Sequence, residues 1–273
     1  MHPRRTLLGL VLTGLLGCAP VAQDVVVGAR PAEPAQSAPK TIVVGVLAGT
    51  PTFAPWDSSN PSSGGPALTE LHVSGLVTND PVGGLDRRLA RSIPTLESGR
   101  IVLLPDGRMR MVWPLRNDVK WHGGTPFTSD DLLFSWEVLS NEATPSTSGR
   151  KWGQLIDSVT ADDPQTLSVT WKTTYYAAAD FSERVLWPLP RHLLGETLRR
   201  DPEAFRNSPY WTTDYVHLGP FRLSHFGIDS LTFDRFDDYF LGRPKVDRIA
   251  VRVGRGWERH RGVHERRRHR RRG

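Results

Sequence analysis

The chain has 273 residues, 38% of them hydrophobic, which is enough for one sizeable core or two small ones. Its formal net charge is +6, but residues 254–273 carry nine Arg against two Glu, so the excess sits in one tail and the remainder is slightly acidic. That distribution excludes a nucleic-acid footprint on the body, and the single cysteine, Cys18, excludes an intramolecular disulfide and any cysteine-based metal site.

Residues 1–18 have the plan of an export leader. Arg4 and Arg5 make a basic start, and Leu7 to Leu16 is an apolar run too short for a membrane span. Leu15-Leu16-Gly17-Cys18 resembles a bacterial lipobox. The resemblance implies cleavage before Cys18 and diacylglycerylation of its thiol, with each buried CH₂ contributing about 0.8 kcal/mol to membrane attachment. A generic signal peptide with an incidental cysteine is the alternative. Residues 19–40, rich in Ala, Pro, Val and Gln without periodicity, read as a flexible tether.

The β-branched run from Thr41 to Leu47 predicts a buried strand that opens the globular part, followed by a loop at Gly49–Pro55. Apolar spacing predicts a short helix over 67–76. Three hairpins follow. They are Ile101–Trp113 around Pro105-Asp106-Gly107, Ile156–Trp171 around Ala161–Pro164, and Phe221–Phe236 around Gly227–Ser230. Tyr175–Glu183 and the Pro188–Leu193 link belong to a more helical section between the second and third.

The stretch Trp113–Glu137 organises the rest. A strand ends at Leu115, a polar turn follows, and His122-Gly123-Gly124 turns the chain again. Thr128 is placed to N-cap a helix with Asp131 as its capping-box partner, and Leu132, Leu133, Trp136 and Leu139 predict one apolar face.

Leu115, Arg116, Val119–His122, Gly124–Thr128 and Asp131 resemble the signature of the extracytoplasmic solute-binding proteins of family 5, the oligopeptide, dipeptide and nickel class that feeds ABC importers. Gly123 stands where that signature has Asp. Partial matches recur in order at Gly75-Leu76-Val77, Leu89–Pro94, Pro188–Leu193, Gly219-Pro220-Phe221 and Asp237–Val251, so the resemblance covers residues 41–252. It implies an α/β fold of the type II periplasmic-binding-protein kind, a first lobe with an inserted β-rich subdomain. The second lobe, built mostly from residues beyond this point, is expected to be missing. It further implies a monomeric, extracytoplasmic lipoprotein without a cofactor, anchored in the membrane by lipid on Cys18, that hands peptides or another small solute to an ABC permease. Nickel complexes, sugars and opines are alternatives to peptide, and a surface scaffold without transport is the competing class. The resemblance carries no ligand-contacting residue onto a matched position. Because such proteins close two lobes on the ligand, negligible peptide affinity is expected of one lobe alone.

Residues 253–273 break the pattern: apolar content nearly vanishes among the arginines. A one-base shift of CGN arginine codons yields Val, Ala, Asp or Gly, so a reading-frame error is expected here in preference to a basic binding arm. His260, His264 and Glu265 have a zinc-like spacing inside this tail, read as chance. No Gly-x-Ser-x-Gly elbow and no phosphate-binding loop is present, and the adjacent pairs Asp130-Asp131 and Asp237-Asp238 read as a helix start and a loop, so no catalytic residue is expected. His122 reads as a turn residue, with a metal role as its alternative.

Overall fold

A computed structural model describes residues 38–46, 52–54, 66–80, 82–144, 147–182 and 185–254. The leader with Cys18, the tether up to residue 37, the loop at 47–51 and the Arg-rich tail with His260 and His264 lie outside these residues.

β1 (Thr41–Val46) opens the body and α1 (Pro66–His72) follows. The helix is shorter than its apolar spacing predicts. Its last backbone bond joins the Val73 N–H to the Thr69 carbonyl, and the Leu76 N–H then turns to the Phe181 carbonyl. Ser74 and Gly75, both weaker helix formers than Ala or Leu, stand at the break. β2 (Val77–Asn79) and β3 (Leu85–Arg87) pair antiparallel.

The first predicted hairpin forms as β4 (Ile101–Leu103) and β5 (Met109–Pro114). Gly107 supplies the left-handed residue of its turn, at φ +86°. α2 (Ser129–Ser140) comes next, then α3 (Thr147–Leu155), which the sequence reading lacks. β6 (Ile156–Asp163) and β7 (Thr166–Trp171) are the second hairpin. Tyr175–Ser182 is not helical as expected: its backbone bonds span two or three residues, a series of turns. The helices of this section come later, as α4 (Arg191–Arg200) and α5 (Pro202–Arg206). Asp201 caps α5 by accepting from the Glu203 and Ala204 N–H groups at 3.0 Å. β8 (Phe221–Phe226) and β9 (Ser230–Arg235) form the third hairpin, and β10 (Arg248–Val253) ends the body.

Two four-stranded sheets result. One has the order β4-β5-β7-β6 and is wholly antiparallel; the other has the order β1-β10-β9-β8, in which β1 and β10 run parallel. Lys40 is tied in just ahead of this sheet, since its N–H donates to Asp247 Oδ2 at 2.7 Å. At the other end the pattern runs past residue 252, because Val253 pairs with Val46 and the Gly254 N–H donates to the Val46 carbonyl.

β1 is not the buried strand its composition predicts. It is an edge strand, and Ile42 and Val43 are 49% and 66% exposed. Its β-branched residues suit a pleated ladder on either side, but β10 supplies only one of the two.

Apolar side chains gather in two cores. Trp113, Trp121, Leu132, Leu167 and Trp171 lead one; Phe53, Phe134, Phe205, Phe233 and Val251 lead the other. α2 runs between them, sending Leu132 and Leu139 into the first and Phe134 and Val138 into the second. The predicted apolar face, Leu132, Leu133, Trp136 and Leu139, does meet one core, with Leu133 and Trp136 half-buried at its margin, but the helix also buries a second side that the spacing did not predict.

Candidate functional site at the carboxyl ends of β1 and β10

In open α/β sheets the ligand crevice lies beyond the carboxyl ends of parallel strands. Here those ends are Val46 and Val253, locked together by the Gly254 N–H donating to the Val46 carbonyl at 2.7 Å. The Val253 N–H donates to the Asp229 carbonyl at 2.8 Å, which brings the tip of the third hairpin to the same edge. Ile228 at that tip is 74% exposed. The chain returns after β1 through Thr52–Ala54. The Phe53 N–H donates to the Trp211 carbonyl at 2.8 Å, and the Phe53 ring stacks on Tyr215 at 4.0 Å. The edge thus presents backbone groups, Thr52, Ile228 and Asp229 on anchored supports. Such an edge can hydrogen-bond an extended ligand.

Behind it lies an aromatic and histidine cluster. His72 Nδ1 meets the Tyr215 hydroxyl at 2.9 Å and its ring stacks on Phe233, while His217 stacks on Tyr215. Burial, with His122 nearby, pushes His72 down to about 3, and burial lowers His217 well below the ordinary histidine range. His122 is pushed down to about 4 by burial against the opposing hydrogen bond to the Gly219 carbonyl, with Arg222 adding to the drop. All three are neutral at neutral pH. His122 Nε2 donates to the Gly219 carbonyl at 2.8 Å, so this histidine fastens a turn, as the sequence reading has it. His217 Nδ1 accepts from the Leu218 N–H at 2.9 Å; its Nε2–H is turned toward the Pro188 carbonyl without reaching hydrogen-bond geometry. Among the described residues no group of three or more His, Cys, Asp or Glu is placed to hold a metal.

The stretch singled out in the sequence is structural. Asp131 accepts from the Thr128 N–H, which is its half of the predicted capping box, from the Trp121 indole, and from the Arg191 N–H at the start of α4. Burial raises its pKa against these three bonds. Gly124 at φ +89° makes the tight turn of His122–Gly124. Asp130 is exposed while Asp131 is buried, so the pair is not an acid–base couple. Asp237 lies in an exposed loop, held by Arg235 and Arg243. Sequence reasoning named no ligand-contacting residue. The hairpin tip was legible as a turn, but its arrival beside β1 depends on the long-range pairing of β1 with β10, which leaves no local signal.

Among the described residues no helix is long and apolar enough to cross a membrane. Residues 106–259 match the profile of the bacterial extracellular solute-binding proteins, family 5 middle region. A protein of Brucella ovis named as an ABC transporter peptide-binding protein is 30% identical over 134 residues, covering 49% of this chain and 24% of that protein. The structure of the oligopeptide-binding protein AppA from Bacillus subtilis, in complex with a nonapeptide, superposes with a TM-score of 0.63 at 21% identity, over 79% of this chain and 41% of that one. NikZ from Campylobacter jejuni, in complex with Ni(L-His), gives a TM-score of 0.62 at 24% identity, over 79% and 40%. The chain thus spans about a quarter of its curated relative and two fifths of the solved structures, and those carry its α/β fold, part of the type II periplasmic-binding-protein architecture. With the profile covering more than half its length, the chain belongs to the bacterial extracellular solute-binding proteins of family 5, a family of binding proteins and not of enzymes.

Proposed function

We propose that this chain is the solute-capturing part of an ABC importer, and that the edge formed by β1, β10 and the hairpin tip at Gly227–Asp229 is one wall of a peptide site. The parallel pairing of β1 with β10 carries the proposal, because it sets two carboxyl ends and an exposed turn on one rim. Backbone groups there suit an extended chain whose side chains vary. The names of the Brucella and Bacillus relatives support peptide over other solutes. Residues 1–18 are read as the leader, Cys18 as the acylated anchor, residues 19–40 as the tether, and an ABC permease as the partner.

Titrating the isotope-labelled chain with short peptides of mixed sequence tests the site. Weak binding should shift the amide signals of Thr52, Ile228, Asp229 and Gly254 first. Shifts confined to the β4-β5-β7-β6 sheet would sink the assignment. Micromolar affinity would show that this wall needs no second one. Expression in a bacterium with labelled palmitate tests the anchor: label should be incorporated and should vanish in Cys18→Ser.

A further inference from the structure

A cavity of ≈ 300 Å³ opens at the opposite end of the β1-β10-β9-β8 sheet, between α1, the start of β2 and the segment after β9. Its position follows from the Phe236 N–H donating to the Pro220 carbonyl, next to Phe221 and Arg235 at the end of the sheet where β1 begins. Glu70 and Arg88 are both in its lining, with the hydroxyls of Ser74, Thr78 and Tyr239. Thr78 Oγ1 donates to Glu70 Oε1 and fixes that carboxylate, while Ser74 Oγ lies 3.5 Å from the Tyr239 hydroxyl. Ser74 and Thr78 are buried. Among the described residues Arg88 has no side-chain hydrogen bond and no ion pair, although a carboxylate stands in the same cavity. Burial raises the Tyr239 phenol against the hydrogen bond with Ser74, and Arg88 and Glu70, both in the lining, pull it in opposite directions.

The charges decide what fits. A lone anion drawn to Arg88 meets Glu70, and a lone cation drawn to Glu70 meets Arg88. A molecule carrying both signs satisfies the two at once, and the hydroxyl oxygens, whose protons on Thr78 and Ser74 already go to Glu70 and the Leu218 carbonyl, keep lone pairs that can accept from its ammonium. The space is that of about ten waters, at the lower bound for small-molecule sites. We propose that this cavity is a second binding site, for a small zwitterion of the free α-amino acid class. It is distinct from the edge at Val46 and Val253 and does not depend on the peptide reading.

The test uses the full chain, with calorimetry and amide-shift titration by L-alanine, acetate and methylammonium. L-Alanine should bind saturably in the millimolar range and move the amides of Ser74, Gly75 and Thr78, and the two singly charged probes should not bind. Arg88→Gln and Glu70→Gln should each weaken L-alanine at least tenfold. Leu241→Trp, at the exposed rim, should block the mouth while leaving the melting temperature unchanged, which separates lost binding from lost fold. Acetate binding as well as L-alanine, or no saturation by L-alanine at tens of millimolar, overturns the proposal. So does undiminished binding in the Leu241 variant.

Discussion

Asp131 Oδ2 accepts the Trp121 indole N–H at 3.1 Å inside the body, so one carboxylate ties the turn before α2 to the helix itself. The same side chain reaches α4 through the Arg191 N–H at 3.0 Å. Asp131→Ala strands three donors in buried or half-buried positions, and should cost about 3–5 kcal/mol in urea unfolding. Asp131→Asn keeps an acceptor oxygen and should cost clearly less. Equal losses for the two would show that the carboxylate's charge and paired oxygens, which Asn cannot replace, matter and a single retained acceptor does not.

Gly219 has no room for a side chain. A Cβ there would lie 2.3 Å from the carbonyl carbon of His72 and 2.5 Å from its Cα, and neither backbone atom can swing away. The Gly219 N–H also donates to the His72 carbonyl at 3.0 Å. Gly219→Ala should force the two segments apart and cost about 3 kcal/mol or more by overpacking. An unchanged melting temperature would contradict this contact.

The buried histidines give stability an acid limit. His72 and His122 titrate at about 3 and about 4 in the folded protein, against 6.5 ordinarily. Below pH 6.5 the unfolded chain takes up protons that the folded chain refuses. Stability from these groups is therefore full above that pH, falls as the pH drops toward 4 and then 3, and levels off beneath. The total loss is on the order of a few kcal/mol. His122→Gln keeps a donor for the Gly219 carbonyl and removes one titration, so its melting temperature should fall less steeply between pH 6 and pH 4. A slope identical to the parent's would remove His122 from the account.

The open side of β1 is an aggregation hazard. Ile42 and Val43 are exposed on an edge strand that carries no charge or proline from Thr41 to Val46. Val43→Lys should lower light scattering at high concentration and leave thermal stability within about 0.5 kcal/mol, as for surface substitutions generally. Undiminished scattering would place the sticky surface elsewhere.

The sequence was most legible where structure is local. Pro105-Asp106-Gly107 fixes a hairpin because Gly107 needs a left-handed backbone, and Asp131 is readable as a cap from its spacing to Thr128 alone. Signals failed where burial is decided at a distance. Thr41–Val46 looks like a core strand by composition, but strand order puts it at an edge. The stripe of Leu132, Leu133, Trp136 and Leu139 meets one core as its spacing predicts, but nothing local announces the second core, which takes Phe134 and Val138. The candidate site follows the same rule, since its rim is assembled by strands from opposite ends of the described chain.

Lys40 and Asp247, hydrogen-bonded at 2.7 Å, are 207 positions apart. During synthesis, at roughly 5–20 residues per second, β1 leaves the ribosome on the order of ten to forty seconds before its neighbour is made. Throughout that interval a sticky hexapeptide has no ladder to join, and closing so large a loop is intrinsically slow. Newborn copies should consequently depend on a holding chaperone at this segment, well after their first two hairpins have formed.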